Sequence, residues 1–229
     1  MSWRDYWNAD TPIYVNDRHK SLHYAGVARD IAAYVPHEGA LVLDHGCGEA
    51  LSADRVAARC GKLWLCDGAP LVRERLAARF AAEPKIVVIA PEEVDSLPDH
   101  GLDLIVVNSL LQYLSTEELD ELLGLWRSKL RDDGRLVLAD VIPHETSPVD
   151  DVSALLRFAW SGGFLGAALL GLARTALSDY AKLRSELGLT HYGEEEMLSL
   201  LEGRGYRAER ATRNMGHNPK RMTFMARPA

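Results

Sequence analysis

The sequence predicts an α/β protein with a doubly wound, mostly parallel seven-stranded sheet, an antiparallel last strand and helices on both faces. Short apolar runs alternate with helical stretches through about the first 140 residues, which is the pattern of β–α units joined by right-handed crossovers. The last two apolar runs are joined by a short turn, so they must pair antiparallel. A length of 229 residues and a hydrophobic share of 47% suit one domain with one substantial core.

The elements follow one another in a regular order. A helical stretch with one apolar face covers residues 17–34, ahead of the first strand. Ser115 has the position of a helix N-cap, and residues 132–134, Asp-Asp-Gly, are a predicted turn before the fifth strand. The predicted strands are 41–43, 63–66, 85–89, 104–107, 135–139, 206–213 and 221–226, and the further predicted helices are 52–59, 71–82, 92–95, 116–129 and 194–202.

Composition and charge argue against several classes of function. A net charge of −7 disfavours a surface that tracks phosphates, so no nucleic-acid partner is expected. The three cysteines form no CxxC pair and are typical of reduced thiols in a cytoplasmic protein. The apolar stretch 158–173 contains four glycines and is shorter than the roughly 20 residues of a membrane-spanning helix. Because no Asp, Glu or His group has metal-ligand spacing, a mechanism without metal is expected.

A glycine-containing loop follows the first predicted strand directly. In Asp44-His45-Gly46-Cys47-Gly48 the two glycines let the backbone turn sharply and approach a ligand closely, and the helix that follows favours a negative group at its N-terminus. Asp67 stands 23 positions after Asp44, at the end of the second predicted strand. An acid about 20 residues beyond such a loop typically binds ribose hydroxyls. Loop and acid together predict a nucleoside-containing cofactor at the switch point of the sheet.

Asp44-x-Gly46-Cys47-Gly48 resembles motif I of the class I S-adenosylmethionine (SAM)-dependent methyltransferases, and the resemblance covers about residues 38–143 and the final helix and hairpin. It implies SAM-dependent methyl transfer to a small, hydrophobic acceptor by in-line displacement, with alignment as the main catalytic effect. Ala50 replaces the family's third glycine, and Gln112 stands where many relatives carry histidine. The cofactor-binding residues that the resemblance implies are Asp44, Gly46, Cys47, Gly48, Asp67, Gly68, Pro91, Glu92, Asn108 and Ser109.

Other classes of function are alternatives to methylation of a small molecule. A nicotinamide or flavin dehydrogenase would carry its third small residue at position 51, where this chain has Leu51. A protein or RNA methyltransferase and a non-catalytic SAM-fold binding or scaffold protein are the alternatives that stay open. Enzymes that methylate amino groups of nucleic-acid bases often carry an Asn-Pro-Pro-aromatic run after strand four. Here Asn108 is followed by Ser-Leu-Leu, so the resemblance favours a small-molecule enzyme.

The resemblance transfers no catalytic base to this chain, and three histidines are candidates from their positions. His144 follows the fifth strand at the carboxyl edge of the sheet, where ligands bind. His217 lies in the turn 214–220, which reaches the same edge, and His23 lies on the N-terminal helix. The alternatives are a solvated loop for His144 and His217 and aromatic packing for His23. The residues expected to line the pocket beside these histidines are Tyr14, Tyr24 and Arg221.

A single methyltransferase domain is expected over residues 1–229. Its predicted parts are an N-terminal helical lid (1–37), a cofactor-binding core (38–145), a helical insertion (146–190) that acts as an acceptor lid, and a last helix with an antiparallel hairpin (191–229). The insertion is apolar nearly all round, so it must be buried, contact a partner or face a hydrophobic ligand. The interpretations are a lid over a lipophilic acceptor, a homodimer interface, core packing, and peripheral membrane contact.

Overall fold

The computed structural model describes residues 14–175 and 189–229, and the predicted features that fall on residues 1–13 and 176–188 lie outside the described residues. Strands and helices alternate along most of the chain. The helices are α1 (Asp17–Tyr34), α2 (Ala53–Ala57), α3 (Pro70–Arg79), α4 (Thr116–Lys129), α5 (Pro148–Gly162), α6 (Leu165–Thr175) and α7 (Glu194–Gly203), with 3₁₀ helices at Pro91–Ser96 and Leu111–Tyr113. The strands are β1 (Leu41–His45), β2 (Lys62–Cys66), β3 (Ile86–Ile89), β4 (Leu102–Asn108), β5 (Leu130–Val141), β6 (Tyr206–Arg210) and β7 (Met222–Pro228).

All seven strands form one sheet in the order β3-β2-β1-β4-β5-β7-β6. The pairs β1–β2, β1–β4, β2–β3 and β4–β5 are parallel, whereas β7 is antiparallel to both of its neighbours. The order reverses between β1 and β4, which creates the crevice where open α/β sheets bind ligands. The predicted fold class, a doubly wound sheet with an antiparallel last strand, is therefore confirmed.

The central strands are apolar on both sides because helices cover both faces of the sheet. Leu43, Ile105 and Leu138 belong to the core on one face, and Val42 and Val106 belong to the core on the other. Strands buried on both faces have near-continuous apolar sequences rather than an alternating pattern. The side chain of Ser115 accepts a hydrogen bond from the backbone N–H of Glu118 at 3.1 Å, which confirms the predicted start of α4.

The predicted turn at residues 132–134 is wrong, because β5 continues through it. Leu102 pairs with Leu130 while Leu104 pairs with Arg135, so an irregularity in register absorbs the intervening residues of β5. Gly134 sits against the neighbouring strand, and a Cβ there would lie 2.8 Å from the carbonyl oxygen of Leu102. The Asp-Asp-Gly sequence therefore lies in an irregular, bulge-like part of β5, a feature that shares its residue preferences with turns.

The described part of the insertion forms two helices, α5 and α6, which are separated at Gly163 in the left-handed conformation with φ 71°. They pack on α1 through a small cluster in which Ala159, Phe164 and Ala168 are buried and Leu22 is partly buried. Trp160 on the outer side is 78% exposed. Within the described ranges, no helix combines the length and the hydropathy needed to cross a membrane.

Candidate functional site

One large cavity, with a volume of about 1150 Å³, opens at the carboxyl edge of the sheet where the strand order reverses. It contains residues of the glycine loop, of the 3₁₀ helix after β3, of the segment after β4, and of α1. Nine of the ten predicted cofactor residues line it: Gly46, Cys47, Gly48, Asp67, Gly68, Pro91, Glu92, Asn108 and Ser109. Residues that the sequence pattern grouped as cofactor-binding therefore surround one cavity in the fold.

The two glycines of the loop have backbone conformations that require glycine. Gly46 has φ +78° and Gly48 has φ +57°, both in the left-handed region. The space around them is also narrow, because a Cβ at Gly48 would lie 2.9 Å from the hydroxyl oxygen of Tyr24 and one at Gly46 would lie 3.0 Å from Leu110. The loop is thus held close to α1 on one side and to the segment after β4 on the other.

Asp67 links the glycine loop to the end of β2. Its Oδ2 accepts a hydrogen bond from the backbone N–H of Gly48 at 2.9 Å, and its Oδ1 accepts one from Ala69 at 2.8 Å. Burial raises the pKa of the Asp67 carboxyl, while these two N–H groups oppose the rise. Each carboxylate oxygen has two lone pairs, so Asp67 can still accept hydrogen bonds from ribose hydroxyls.

Two amide side chains beside the cavity carry buried oxygens without a hydrogen-bond partner among the described residues. Asn108 at the end of β4 and Gln112 after it both line the cavity. These oxygens are Asn108 Oδ1 and Gln112 Oε1. Buried polar atoms are normally paired in native proteins, and a ligand with hydrogen-bond donors would satisfy both oxygens.

Asp44 is the predicted cofactor residue that does not line the large cavity. It is buried at the end of β1 and borders a second cavity of about 20 Å³, together with Tyr24, Cys47 and Ser52. Burial, with a smaller contribution from the Asp67 carboxylate, raises the pKa of Asp44 to about 7. The physical reason for the different placement is the alternation of strand side chains between faces. Asp44 therefore supports the loop from beneath α1.

The buried Asp44 carboxyl makes the free energy of unfolding depend on pH. Its pKa is about 3.9 in an unfolded chain and about 7 in the fold, so the contribution of Asp44 to stability is greatest below about pH 4 and falls as pH rises to about 7, by about 1.4 kcal/mol per pH unit. We expect Asp44→Asn to remove this slope. Urea unfolding at about pH 5.5 and about pH 8 should show the variant gaining about 2 kcal/mol on the wild type between the two conditions. Equal slopes in the two proteins would contradict the raised pKa.

Helix α1 contacts the glycine loop directly. The hydroxyl oxygen of Tyr24 accepts a hydrogen bond from the backbone N–H of Glu49 at 3.0 Å, and Lys20 forms an ion pair with the Glu49 carboxylate. The Tyr14 ring packs against the Tyr24 ring at a centroid distance of 5.8 Å. Because Tyr14, Lys20 and Tyr24 all line the cavity, α1 forms one wall of the site. That α1 moves as a lid stays a prediction.

Three imidazoles meet at the wall formed by α1. The ring centroid of His217 lies 6.5 Å from that of His19 and 6.1 Å from that of His23. Phe158 of α5 stacks on His217 at 4.9 Å. Burial lowers the pKa of His19 to about 4 and that of His23 to about 3, with His217 as a further cause. Burial also lowers the pKa of His217, against the opposing effect of Asp140. All three rings are therefore neutral at pH 7.

The turn between β6 and β7 is anchored to α1. Arg213 in this turn forms an ion pair with the buried Asp30 at 2.9 Å, and the backbone N–H of Gly216 donates to the same carboxylate at 3.2 Å. His217 follows directly, and the anchoring holds its ring at the cavity. The predicted approach of this turn to the carboxyl edge of the sheet agrees with the structure.

A polar network connects the ends of β4 and β5 to this turn. Asp140 Oδ2 accepts hydrogen bonds from Ser109 Oγ at 2.7 Å and from Arg221 Nη1 at 2.8 Å. Arg221 Nη2 also donates to Asp151 of α5 at 3.1 Å. Ser109 and Asp140 have φ values of +56° and +60°, which are unusual for residues other than glycine. Such backbone strain is found at functional sites, where surrounding contacts maintain it.

The structure places some of the candidate catalytic histidines at the cavity and one outside it. His23 and His217 line the cavity. His144 does not line it and instead pairs with Glu196 of α7 at 3.0 Å on the exposed surface. His45 lines the cavity, but its Nδ1 accepts a hydrogen bond from Trp126 at 3.1 Å, so it supports the core. Across the described parts of the chain, no group of three or more metal-ligating side chains could hold a metal ion.

The insertion contributes little to the cavity wall within the described ranges. None of the described residues of α5 and α6 lines the cavity, whereas Leu189 does. Phe158 and Phe164 instead contact His19 at ring-centroid distances of 5.7 and 5.0 Å. The two helices thus support α1 from behind. The predicted acceptor lid is not seen in this part of the insertion.

Further lining residues come from helices α3 and α4 and were missed by the sequence reasoning. The α4 residues have the spacing of one helical face, i, i+3, i+4 and i+7, so this signal was present in the sequence. Nothing local marked that face as lining a cavity rather than packing in the core. These residues are Val72 and Arg75 of α3 and Glu118, Glu121, Leu122 and Leu125 of α4.

The strand order with β7 inserted antiparallel, the glycine loop after β1 and the carboxylate after β2 are the features of the class I methyltransferases named above. Residues 42–134 match a protein-family model described as a methyltransferase domain. None of the curated proteins compared with the chain matched it.

Solved structures with the same fold cover nearly the whole chain. One is a chain from the complex between the Haloferax volcanii Trm112 methyltransferase activator and the putative methyltransferase, with 15% identity, TM-score 0.63, and coverage of 100% of this chain and 98% of that chain. Another is the magnesium protoporphyrin IX methyltransferase (ChlM) from Synechocystis PCC 6803 with bound S-adenosylhomocysteine (SAH), with 17% identity, TM-score 0.60, and coverage of 99% and 93%. The mitomycin 7-O-methyltransferase MmcR has 18% identity and TM-score 0.63, and covers 100% of this chain and 61% of its own.

The match over residues 42–134, the strand order and the glycine-lined cavity agree in indicating a SAM-dependent methyltransferase with the class I fold. The resemblance inferred from Asp44-x-Gly46-Cys47-Gly48 is confirmed at this level, and SAM is the cofactor.

Proposed function

We propose that the protein methylates a small, hydrophobic molecule that binds in the same cavity as SAM. The observation that supports this is the extent of the cavity from the glycine loop and Asp67 to the aromatic wall of α1. Its volume of about 1150 Å³ exceeds that of an ordinary ligand pocket, roughly 300–1,000 Å³. It therefore has room for a cofactor and a small acceptor. The rings of Tyr14, His23 and Tyr24 provide apolar surface with polar ends, which suits a hydrophobic acceptor.

The lining residues provide the contacts that SAM requires. Gly46 and Gly48 line the cavity on the side where the methionine part of SAM would lie, and Asp67 can accept hydrogen bonds from the ribose. Asn108 Oδ1, which has no partner among the described residues, can accept a hydrogen bond from the amino group of the methionine part. Pro91 and Glu92 line the side of the cavity that adjoins β3, where the adenine would lie. The fit thus rests on the orphaned Asn108 oxygen and on the carboxylate of Asp67.

The chain's own contribution to the reaction is alignment, desolvation and proton removal. Bound SAM would supply the methyl group from its sulfonium centre, and its sulfur would keep the carbon–sulfur electron pair when the acceptor atom bonds to the methyl carbon. Alignment alone can lower such a barrier by about 7–11 kcal/mol. Neutral His217 lines the cavity and can take a proton from the acceptor, which would add about 10²–10⁴-fold to the rate. Burial keeps its pKa low, so its ring is unprotonated at neutral pH.

Two measurements test the proposed function. Calorimetric titration with SAM and with SAH should show binding of both at one site. Incubation with methyl-labelled SAM and a panel of small phenols and amines, beside RNA and protein fractions, should place the label in small products that organic solvent extracts. Label confined to acid-precipitable RNA or protein would contradict the proposed acceptor class. Absence of SAM and SAH binding would support a scaffold role instead.

A further inference from the structure

We propose that the acceptor end of the cavity selects molecules that present a hydrogen-bond donor on a neutral or positively charged group to Asp140, and that it disfavours anionic acceptors. The acceptor end is the part of the cavity lined by Ser109, Asp140, His217 and Arg221. The inference rests on the proposed function, because it names the chemistry of the molecule that the methyltransferase site takes.

Asp140 retains an unfilled hydrogen-bond acceptor. Its Oδ2 is occupied by Ser109 Oγ and Arg221 Nη1, at 2.7 and 2.8 Å. Among the described residues, its Oδ1 accepts one long hydrogen bond, of 3.4 Å, from the side-chain nitrogen of Asn214. A carboxylate offers about four acceptor positions, so Oδ1 can take a donor from a ligand. The strained backbone of Asp140, with φ +60°, agrees with a side chain held in place for such a contact.

The positive charges at this end are already compensated. Arg221 lies between two carboxylates, at 2.8 Å from Asp140 and 3.1 Å from Asp151. Lys20 on the α1 wall is paired with Glu49. The imidazoles nearby are neutral, because burial lowers the pKa of each. Among the described residues at this end, two carboxylates therefore face one guanidinium, and a carboxylate or phosphate on the acceptor would be repelled.

Gln112 gives a second, independent indication of a donor-bearing ligand. The residue is only 6% exposed, it lines the cavity, and its Oε1 accepts no hydrogen bond from the described residues. An unpaired buried oxygen costs free energy unless a donor reaches it. Among the described residues, Gln112 Oε1 thus lacks a donor and Asp140 Oδ1 has one long hydrogen bond, so both oxygens can take a donor from an acceptor molecule.

Three matched probes test the inference: benzylamine, benzyl alcohol and benzoate, which share a ring and differ in the charge and hydrogen bonding of the head group. Each is titrated into the SAH complex of the full chain by ligand-observed NMR. We expect saturable binding of benzylamine and benzyl alcohol at least about tenfold tighter than that of benzoate. Benzoate binding as tightly as benzylamine would overturn the inference, as would a lack of saturable binding by all three.

Paired variants separate a direct contact from a general effect of charge. Asp140→Asn should reduce the preference for benzylamine over benzoate to below about threefold. Asp151→Asn removes the other carboxylate that pairs with Arg221, at a residue that does not line the cavity. A smaller reduction in the preference for benzylamine is therefore expected. Asp133→Asn, at an exposed residue of β5, is the control and should leave the preference unchanged. An unchanged preference in Asp140→Asn would overturn the inference.

Failure of the inference and failure of the proposed function give different results. SAH affinity is measured first for each protein, and a wild-type chain that binds no SAH contradicts the proposed function. A chain that binds SAH but prefers benzoate contradicts only the inference about the acceptor. If Asp140→Asn does not fold, as judged by loss of a cooperative thermal transition, the order of the three probes on the wild type and the response of Asp151→Asn still decide the matter.

Discussion

Gly48→Ala is expected to weaken SAH binding at least about tenfold, or about 1.4 kcal/mol, and to destabilise the fold. The φ of +57° at this position costs a residue with a Cβ about 1–2 kcal/mol. The added Cβ would also lie 2.9 Å from the hydroxyl oxygen of Tyr24, so α1 or the loop must move. Because the backbone N–H of Gly48 donates to Asp67, that movement reaches the proposed ribose contact. Calorimetry with SAH and urea unfolding measure the two effects.

A double-mutant cycle shows whether the Tyr24 contact causes the loss. Tyr24→Phe alone leaves the N–H of Glu49 without its acceptor, at a cost of about 1 kcal/mol. Combined with Gly48→Ala it also removes the close contact, so the two changes together should cost less than their sum. Strict additivity would contradict the contact. Gly26→Ala is the matched control, because nothing lies within 4 Å of its added Cβ; in the interior of α1 it should stabilise by about 0.8–1.0 kcal/mol.

The fold was predictable because it depends on local patterns that agree with one another. Continuous apolar strands such as β4 require cover on both faces of the sheet, and the intervening helices provide it. The short turn between the last two strands requires them to pair antiparallel, as they do in the structure. The error at residues 132–134 has a physical cause, since β-bulges and turns favour the same residues. Whether Asp-Asp-Gly bends or bulges depends on β4, whose register with β5 is a long-range property.

The cofactor end of the site was more predictable than the acceptor end. Gly46, Gly48 and Asp67 lie directly after strands, and the topology of a parallel sheet brings strand ends to one edge. The contacts around Asp140 and Arg221 join residues that are 81 positions apart, and no local pattern indicates such a contact. Asp44 shows that a motif does not give the direction of each of its side chains. It lies at the same strand end as the other motif residues, but its side chain is on the opposite face and borders the small cavity instead of the large one.

Asp67→Ala is expected to reduce SAH affinity by about 100-fold or more, equivalent to about 2.7 kcal/mol. The change removes the proposed ribose contact. It also removes the acceptor for two backbone N–H groups, those of Gly48 and Ala69. Asp67→Asn should lie between the wild type and the alanine variant, because an amide offers one oxygen in place of two. Titration of each variant with SAH provides the measurement, and urea unfolding reports whether the fold is retained.

The control for charge is Asp133→Ala, at an exposed carboxylate that does not line the cavity. It should bind SAH as the wild type does. If Asp67→Ala keeps SAH affinity within about threefold of the wild type while Gly48→Ala loses it, the ribose is held by another group. If both lose affinity and both still unfold cooperatively, loop and carboxylate act as one unit. That outcome is the one we expect from the hydrogen bond of 2.9 Å that joins Gly48 to Asp67, because the carboxylate then both shapes the loop and contacts the cofactor.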